Sequence, residues 1–356
     1  MKILLLSRYG QLGASSRYRS YQYLEYLRDR GHDITVNVLL SDEYIRKLYA
    51  GRRLPAFNII LSYVRRALRL ASKKDYDLLW IEYELFPWIP QRIEGWFQGR
   101  QIPYVVDYDD AIFHRYDFHR LPFVQLLLGT KIADVMRQAA GVIVGNPYLG
   151  GYATRAGAKR IEKLPTTIDV ARYPRKPPKD NGRFTVGWVG SPSTVHYLAL
   201  VHEAIRKLTR TTNITLKVVG VDHYVLPGVQ VEASKWNDDT EADEICQFDV
   251  GIMPLTDSPW ERGKCGHKLI KYMACSRPVI ASPIGVNKII VNHGRNGFLA
   301  STTEEWVEAL VALSNDSGLR ERMGTAGRDL VEREYSTQVI APRLEAFFRK
   351  CVEEHP

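Results

Sequence analysis

The chain has 356 residues, of which 45% are hydrophobic, and a formal net charge of +9, so it is long and apolar enough for two ordinary α/β cores. No apolar run approaches the ~20 residues that cross a bilayer, and Met1 leads directly into a strand-like KILLLS segment rather than a signal peptide, so we expect a cytoplasmic protein. The cysteines lack metal-type spacing and are assigned neither a bond nor a metal: Cys246, Cys265, Cys275 and Cys351.

Strand-like and helix-like segments alternate along the chain, which predicts parallel sheets covered by helices on both faces. The predicted strands of the first sheet are residues 2–7, 34–39, 78–82, 104–107 and 141–144. Those of the second sheet are residues 184–189, 214–219, 248–253 and 278–282. We divide the chain into an N-terminal domain, a basic proline-rich linker, a C-terminal domain and a final amphipathic helix, at residues 1–172, 173–183, 184–336 and 337–356.

The loop YGQLGASSRYR joins the first predicted strand to the first predicted helix, which Ser15 or Ser16 could cap. Gly13 and Arg17 belong to this loop. The guanidinium of Arg17 could form a forked contact with a phosphate, so the loop is a candidate ligand site.

The segment at residues 45–74 contains many basic residues and no acidic residue. Within it, AFNIILSYVRRALRLA at residues 56–71 has apolar residues near helical spacing beside a basic face. This pattern fits a helix on an anionic membrane surface, which would make the protein peripheral on the inner face of the cell membrane. It fits equally well an amphipathic helix packed on the sheet with a solvated basic side. Nucleic acid is not expected as a partner, because no binding motif supports it.

Acidic residues cluster at the predicted ends of two strands, in WIEYE and in IPYVVDYDDAIFHRYD. They are Glu82, Glu84, Asp107, Asp109 and Asp110. Because ligands of open α/β sheets bind outside the carboxyl ends of the strands, these carboxylates are expected at a ligand site. A metal-binding cluster is one alternative interpretation, and for Asp110 a helix cap is another.

The segment VGWVGSPSTVHYL places Gly190, Ser191, Ser193 and Thr194 between a predicted strand and a predicted helix. Backbone N–H groups and hydroxyls in such a turn can bind a diphosphate. No arginine or lysine occurs between Gly190 and Arg206, so any neutralising charge has to come from elsewhere in the chain.

The segment ERGKCGHKLIKYMACSRPVIASPIGVN, at residues 261–287, predicts a glycine-bearing loop, a short helix and a buried strand. Gly263 and Gly266 would allow close backbone approach to a ligand, and the helix start would direct free N–H groups at an anion. Lys264 and Lys268 are four residues apart, so we expect both ammonium groups on the same side of the helix. Ordinary surface lysines at a helix start are the alternative interpretation.

This segment resembles the donor-binding region of the retaining family 4 glycosyltransferases, through KLIKYMACSRPVIASPIGV and the following GRNGFLA. A second similar stretch is the N-terminal MKILLLSRYGQLGASSRYRSYQYLEYLRDRGHDITV. The resemblance implies the GT-B fold, an α/β architecture in which two Rossmann-like domains face each other across a cleft. It also implies transfer of a sugar from a nucleotide sugar, with retention of the anomeric configuration.

The resemblance assigns roles to the candidate residues. Lys264 and Lys268 would replace the family's usual clamp on the donor phosphates and stabilise the departing nucleoside diphosphate. Asp109 stands where the family commonly has a histidine, so its carboxylate would orient or deprotonate the acceptor hydroxyl. Glu82, Glu84 and Asp107 are expected on the acceptor side. The donor-binding residues are expected to be Gly13, Arg17, Gly190, Ser191, Ser193, Thr194, Glu261, Gly263, Cys265 and Gly266.

The chain also departs from the family pattern at two glutamate positions, so it resembles a divergent member. The family usually has two glutamates eight positions apart in this region, and the aligned residues are Gly263 and Lys271. Glu261 lies two residues before the first of these positions and could still reach the sugar hydroxyls. Lys271 cannot accept a hydrogen bond from a ribose in the way that a glutamate does.

These observations predict a glycosyltransferase of polysaccharide biosynthesis that acts on a glycan or a lipid-linked acceptor. The donor is expected to be UDP-linked or GDP-linked, with no cofactor and no metal. Two alternatives would use the same fold and donor site. One is a nucleotide-sugar 2-epimerase, and the other is a nucleotide-sugar-binding partner subunit without turnover.

Overall fold

The computed structural model describes residues 1–52, 55–72, 75–98, 102–176 and 182–355. The chain divides into two compact units. Unit 1 consists of Met1–Thr166, Gly263–Cys265 and Ile340–Pro356. Unit 2 consists of Thr167–Arg262 and Gly266–Val339.

Unit 1 is built on a six-stranded parallel sheet. Its strands are β1 (Lys2–Tyr9), β2 (Asp33–Leu40), β3 (Leu78–Glu82), β4 (Tyr104–Tyr108), β5 (Gly141–Val144) and β6 (Ile161–Lys163). Their order is β2-β1-β3-β4-β5-β6. Strands β3 and β5 are buried along their whole length, because near-continuous apolar runs such as GVIV suit a strand that is covered on both faces. In the observed register, Leu5 lies between Val36 and Trp80.

The helices that follow these strands in unit 1 are α1 (Ala14–Arg19), α2 (Leu24–Asp29), α3 (Asp42–Tyr49), α4 (Ala56–Ala71), α5 (Gln91–Gln98), α6 (His114–Asp117), α7 (Pro122–Leu128), α8 (Lys131–Gln138) and α9 (Pro147–Arg155). The first of them does not start as predicted. Ser15 and Ser16 lie inside α1, and the residue before it, Gly13, makes no side-chain cap, so the predicted serine cap is wrong. Ser16 is instead buried, and its hydroxyl donates a hydrogen bond to Glu82.

Unit 2 contains a second six-stranded parallel sheet. Its strands are β7 (Phe184–Val189), β8 (Ile214–Val219), β9 (Gln230–Ser234), β10 (Val250–Met253), β11 (Val279–Ala281) and β12 (Gly297–Leu299). Their order is β12-β11-β10-β7-β8-β9, which puts the first strand of the unit in the interior of the sheet. Trp188 of β7 and Leu216 of β8 are buried in one apolar core with Leu198 and Trp306.

The α-helices of unit 2 are α10 (His202–Leu208), α11 (Glu241–Ile245), α12 (Pro259–Arg262), α13 (His267–Ala274), α14 (Asn287–Ile290), α15 (Thr303–Asn315) and α16 (Ser317–Glu334). Helix α15 starts with a capping box, because Thr302 and Glu305 each bind the other's backbone N–H. The last helix is α17 (Thr337–Glu353), and most of it is counted with unit 1. There Phe348 packs edge-on against Trp80 of β3, with ring centroids 5.0 Å apart.

The predicted pair of parallel sheets is therefore confirmed, and strands β3, β5, β7 and β8 have the predicted bounds. Strands β6, β9 and β12 were not predicted. They are short, and sequences such as IEK and QVEAS lack the apolar run that marks a buried strand. Residues 177–181 of the predicted linker lie outside the described residues. Among the described helices, none is both long and apolar enough to cross a membrane.

Candidate functional site

The predicted glycine turn of unit 2 follows the carboxyl end of β7. Gly190 N donates to Val219 O at 2.9 Å and so continues the sheet for one more residue. The turn then closes on itself, because Thr194 N donates to Ser191 O at 2.9 Å. The hydroxyl oxygens of Ser191 and Ser193 are 2.8 Å apart, and Ser193 is exposed. Hydroxyl groups are thus presented at the edge where open α/β sheets bind ligands.

Gly220, just after β8, fixes the position of this turn. Its φ is +119°, a conformation that only glycine adopts without strain, and a Cβ at this position would overlap the carbonyl oxygen of Gly190. The two strand ends are therefore in direct backbone contact. A larger residue at position 220 would push the turn out of place.

Lys268 brings a positive charge to the same turn. Its ammonium nitrogen lies 4.0 Å from the centroid of the Trp188 ring, a cation–π contact. A Cβ added to Gly190 would meet that nitrogen at 2.6 Å, so the ammonium group lies directly beside the glycine. The absence of a side chain at position 190 is what leaves room for it. An anion bound at the turn would contact a cation that is already held in place.

Helix α13 positions Lys268 one residue after its start. The preceding Gly266 has φ 66° and ψ 18°, in the left-handed region, and a Cβ there would overlap Ile290. At the other end of the helix, the buried Tyr272 hydroxyl accepts from Val189 N at 2.9 Å. The helix is thereby tied to the end of β7, and Lys268 keeps its place relative to the Gly190 turn.

Glu261 and Arg262 lie on α12, close in sequence to this site. The buried Glu261 carboxylate accepts hydrogen bonds from the hydroxyls of Tyr197 and Ser258. Arg262 forms a forked, exposed ion pair with Asp257, with its Nε 2.6 Å from Oδ1 and its Nη2 3.0 Å from Oδ2. Arg262 thus has an anionic partner within its own segment, and this pair lowers the pKa of Asp257.

The loop at residues 263–265 is placed differently from the prediction. Helix α13 begins at His267, so Lys264 precedes it, and the expected i, i+4 relation with Lys268 is wrong. Gly263 and Lys264 are held by Asn146 of unit 1, whose Nδ2 donates to their carbonyl oxygens at 2.7 Å and 3.1 Å. Lys264 is thus counted with unit 1, and Lys268 with unit 2.

Cys265 packs in the same loop. It is buried, and its Sγ lies 3.1 Å from the carbonyl oxygen of Asp109. Burial raises the pKa of its thiol well above the ordinary value, and the Asp109 carboxylate adds to the shift. The side chain is therefore a neutral thiol that fills space. A Cβ on Gly145 would overlap it, so this packing is tight.

Lys271 occupies one of the two positions where a glutamate was expected. Its Nζ lies 2.7 Å from Oε1 of the buried Glu241. The indole N–H of Trp236 donates to the same oxygen at 2.7 Å, and the Tyr173 hydroxyl donates to Oε2 at 3.1 Å. The position thus carries an internal ion pair of unit 2.

Asp109 follows β4 at the carboxyl edge of the unit 1 sheet and is half-buried. It accepts a hydrogen bond from the Tyr83 hydroxyl, which also lies 3.0 Å from Ser15 Oγ. Asp110 is not the cap of α6, because Phe113 is the N-cap there and no side chain caps that helix. Among the described residues, no group of three His, Cys, Asp or Glu side chains is arranged to hold a metal ion.

Asp107, at the end of β4, is part of a buried ion pair. Arg19 donates to its Oδ1 from Nε at 2.9 Å and from Nη2 at 2.7 Å, and Arg19 Nη1 also donates to Leu164 O at 2.8 Å. Burial raises the pKa of Asp107 to about 6, and Arg19 opposes that shift. The contact with Arg19 ties α1 to the sheet.

Glu82 and Glu84, at the end of β3, are buried as well. Glu82 Oε2 accepts from Arg8 N at 2.8 Å and from Ser16 Oγ at 2.6 Å, and burial raises the pKa of Glu82 to about 7. Glu84 accepts from Lys131 Nζ at 2.6 Å. Lys131 also lies 2.9 Å from Glu94, and all three side chains of this group are buried. Both predicted acceptor-side glutamates are thus engaged inside unit 1.

Gly13 is the last residue of the loop after β1, whereas Arg17 lies within α1. Gly13 N donates to Gly10 O at 3.1 Å, and a Cβ on Gly13 would overlap Tyr9. Arg17 Nη1 donates to Gln11 O at 3.1 Å, and the guanidinium stacks over the Tyr18 ring with its Cζ 4.7 Å from the centroid. The Arg17 side chain thus packs against the loop that precedes α1 and is mostly buried.

The basic segment contains most of α3 and all of α4, and its exposed side chains are both apolar and basic. The outward side of α4 exposes Phe57, Ile60, Val64 and Leu68 as well as Arg65. Arg66 is buried instead, and its Nη2 donates to the carbonyl oxygens of Ser7 and Asn37. Burial lowers the pKa of Arg66 to about 10. Arg53, Lys73 and Lys74 lie outside the described residues.

Several residues that shape these sites were not found from the sequence. They are Tyr83 beside Asp109, Trp188 beside Lys268, Tyr197 beside Glu261, Asn146 beside Gly263 and Lys131 beside Glu84. Four of these five contacts join residues more than 40 positions apart, as 188 and 268 are, so local spacing carries no signal for them. Tyr83 was adjacent to both glutamates of WIEYE and could have been considered with them.

Comparison with known proteins finds a family match that lies in unit 2 except for Gly263–Cys265. Residues 183–316 match the family described as glycosyl transferases group 1. A capsular polysaccharide biosynthesis glycosyltransferase, CapM of Staphylococcus aureus, is 32% identical over 99 residues, which are 27% of this chain. That match spans about a quarter, 26%, of the length of CapM.

Solved structures match the whole chain at low identity. Sucrose-phosphate synthase from Thermosynechococcus elongatus has a TM-score of 0.71 at 16% identity, covering 98% of both chains. Anabaena Alr3699/HepE in complex with UDP-glucose has a TM-score of 0.70 at 16% identity, covering 98% of this chain and 99% of the other. WaaG, a glycosyltransferase involved in lipopolysaccharide biosynthesis, has a TM-score of 0.68 at 13% identity, covering 97% and 98%. The predicted GT-B fold of two α/β domains is confirmed.

Proposed function

We propose that this chain, whose residues 183–316 form a glycosyl transferases group 1 domain, transfers a sugar from a nucleotide donor to a hydroxyl of a glycan or lipid-linked acceptor. The observation that carries the proposal is the Lys268 ammonium beside the Gly190 turn. A hydroxyl-bearing turn next to a fixed cation suits a nucleoside diphosphate. CapM is described as a glycosyltransferase of capsular polysaccharide biosynthesis, which supports a role in polysaccharide synthesis.

The donor is proposed to be UDP-linked, with a GDP-linked sugar as the second choice. Support comes from Alr3699/HepE, which was crystallised with UDP-glucose and shares the fold. Ser191 and Ser193 would donate their hydroxyls to the diphosphate, and Lys268 would neutralise it. The proposal assigns the positive charge to this lysine and asks for no cofactor and no metal ion.

Lys268 would act on the leaving group. As the bond between the sugar and the diphosphate breaks, negative charge grows on the departing phosphate oxygen. A cation already held in place binds this oxygen more strongly in the transition state than in the ground state, and only such a difference raises the rate. The cation–π contact with Trp188 and the fixed start of α13 provide the placement.

Asp109 is the proposed acceptor-side group of unit 1. It is half-buried, whereas Asp107, Glu82 and Glu84 are buried with protein partners. Its carboxylate would orient the acceptor hydroxyl or take its proton, while the Tyr83 hydroxyl holds the carboxylate in place. Asp107 would then support Asp109 from the same strand end without touching the acceptor.

Membership of retaining family 4 and retention of configuration are further parts of the proposal. They rest on the resemblance of KLIKYMACSRPVIASPIGV to the donor-binding segment of that family. The chain would be a divergent member, because Gly263 and Lys271 stand where two glutamates are usual. The Lys271–Glu241 pair supports this, since it closes the second of these positions with an internal contact.

Contact with an anionic membrane surface through residues 45–74 is proposed as well. The exposed Arg65 and the exposed apolar residues of α4 support it. Each basic residue near such a surface contributes ~1 kcal/mol, so the attraction should weaken as salt rises. A lipid-linked acceptor would then be met at the membrane on which the enzyme works.

A donor screen tests the proposed function. UDP-sugars and GDP-sugars are tested for a rise in melting temperature, because a ligand that binds only the folded state stabilises it. Donors that respond are then incubated with glycan acceptors, and the released nucleoside diphosphate and the products are identified. A new glycosidic bond is the expected result. Conversion of the donor sugar without acceptor would indicate an epimerase, and binding without turnover a partner subunit. The matched proteins are described as glycosyltransferases and a synthase, which favours transfer.

A further inference from the structure

Helix α7, with the sequence PFVQLLL, exposes most of its apolar side chains. Leu126 is 84% exposed and Phe123 is 68% exposed, and Leu127 is exposed as well. Leu128 is the buried residue of the helix. Adjacent exposed apolar residues of this size usually mark a surface that contacts something else.

Other helices of unit 1, linked to α7 through α8, also expose apolar side chains. Helix α8 contacts both α7 and α5, and α5 contacts α4. The connections from β2 to β3, from β3 to β4 and from β4 to β5 all run in one direction along the sheet, so right-handed crossovers place α4, α5 and α8 on one face. We use the name apolar layer for seven exposed apolar side chains on α4, α5 and α7: Phe57, Ile60, Val64, Leu68, Trp96, Phe123 and Leu126.

We propose that the apolar layer docks on an anionic lipid bilayer, with α7 inserted among the headgroups. This goes beyond the electrostatic attraction proposed for residues 45–74, because α7 would contribute apolar burial that salt does not screen. The inference rests on the proposed function in one respect only, which is that a lipid-linked acceptor would be found at that surface.

The charges around the apolar layer match an anionic bilayer. No acidic residue occurs at residues 118–133 or at residues 45–74. Arg65 and Arg120 are exposed next to the apolar residues of α4 and α7. If a second copy of the chain covered the layer, two basic surfaces would come together, and like charges across an interface cost affinity.

The residue type at position 96 and the length of α7 also suit a membrane interface. Trp96, which is 83% exposed, is a residue of the kind that concentrates at the boundary between headgroups and acyl chains. Helix α7 has 7 residues and cannot span a bilayer, which needs ~20. Interfacial helices of this kind enter the headgroup boundary by only ~5–10 Å.

Vesicle binding tests this inference with the full chain. Wild-type protein is sedimented with vesicles of phosphatidylcholine and phosphatidylglycerol, at low and at high salt. Binding is expected to fall with salt to a residual level that persists. The double variant Phe123→Ser/Leu126→Ser should lose that residual binding by about tenfold or more, since two large apolar side chains no longer insert. Leu126→Ser alone should lose part of it.

A matched control is Ile289→Ser in unit 2, which removes an apolar side chain of similar exposure, 58%, outside the layer. It should bind vesicles like the wild type. Arg65→Glu should reduce binding at low salt and leave the residual binding in place. Equal residual binding by wild type and the double variant would overturn the inference.

Two further outcomes are decisive. Wild-type protein that dimerises without vesicles, combined with a monomeric double variant, would assign the layer to a second copy and overturn the bilayer. Turnover on a water-soluble acceptor, measured without vesicles, should be unchanged in the double variant. Failure of vesicle binding with normal turnover would therefore reject this inference alone, whereas absence of turnover in the wild type would reject the proposed function.

Discussion

The carboxyl edges of the two sheets differ in how their polar side chains are used. In unit 1, Asp107 and Glu84 are buried, and each is bound by a buried cation, Arg19 or Lys131. In unit 2, Ser193 is exposed at the Gly190 turn. The two sheets are both parallel, yet these two carboxylates of unit 1 are paired inside the fold, whereas a hydroxyl at the edge of the unit 2 sheet is exposed.

This difference gives a rule for choosing functional residues at such edges. A charge that is buried and fully paired stabilises the fold only as a pair, and removing one partner leaves an uncompensated charge. A half-buried charged group can still be reached by a ligand. Asp109 and Lys268 belong to this second kind, although they lie in different units.

The largest effect is expected when the buried group of unit 1 loses its cation. Lys131→Met preserves the length of the side chain and removes the ammonium group shared by Glu84 and Glu94, which leaves only the more distant Arg8 guanidinium, 3.6 Å from Glu84. The free energy of unfolding, measured with urea, should fall by about 3–5 kcal/mol. Lys207→Met is the control, because Lys207 forms only exposed pairs with Glu203 and Glu304, and it should change stability by less than ~1 kcal/mol. Equal effects in the two variants would remove the distinction between buried and exposed pairs.

Asp109 and Asp107 should separate catalysis from stability at one strand end. Asp109→Asn is expected to lower transfer by ~10²-fold with little change in nucleotide affinity, as for a positioned acid–base group. Asp107→Asn weakens the buried pair with Arg19 and should mainly lower the melting temperature. Transfer rate, UDP affinity and melting temperature are measured on the same preparations. Normal transfer by Asp109→Asn would exclude this residue from the chemistry.

The two lysines should differ because Lys268 lies beside the Gly190 turn of its own unit, whereas Lys264 is counted with unit 1. Lys268→Ala removes a charge-assisted contact, which typically costs ~1.5–3 kcal/mol, so UDP affinity and turnover should both fall. Lys264→Ala should have the smaller effect. Calorimetric UDP binding and initial rates are the measurements. Wild-type values in both variants would show that neither lysine serves the donor phosphates.

Glu345 gives a smaller, pH-dependent effect within unit 1. Although burial opposes it, hydrogen bonds from Arg349 and His32 lower the pKa of Glu345 to about 2. The carboxylate therefore adds stability at pH values above its ordinary pKa of 4.5, and this contribution is lost as the pH falls towards about 2. Glu345→Gln should melt a few degrees lower at pH 7, and its melting temperature should change less than that of the wild type over that range. Parallel curves would contradict this assignment.

Much of the fold could be predicted because its signals are local. Strands such as GVIV and FTVGWV combine apolar content with flanking turn residues, and their bounds were predicted correctly. The start of α1 could not be predicted, since Ser16 was expected to cap a helix and instead binds Glu82. That contact spans 66 positions, and only the packed sheet brings the two residues together.

The site was less predictable for a related reason. The spacing of Lys264 and Lys268 suggested one helix face, but a left-handed Gly266 starts the helix between them. Any glycine can adopt this conformation, and the sequence does not show which glycine does, so the spacing of the lysines alone could not reveal the break in the helix. Likewise, Glu84 was predicted to lie at a ligand site. Its actual partner, Lys131, could not be identified from the sequence because it lies 47 positions away.

The short loop Gly263–Cys265 affects how unit 2 could be exchanged between proteins of this fold. Its chain neighbours belong to unit 2, yet its own contacts are with Asn146, Ala111 and Asp109 of unit 1. A chimera that exchanged residues 167–339 with those of a homologue would bring foreign residues into this packing. Such a graft should express well only when positions 111, 145 and 146 are exchanged along with it, so the natural boundary for exchanging unit 2 is discontinuous in sequence.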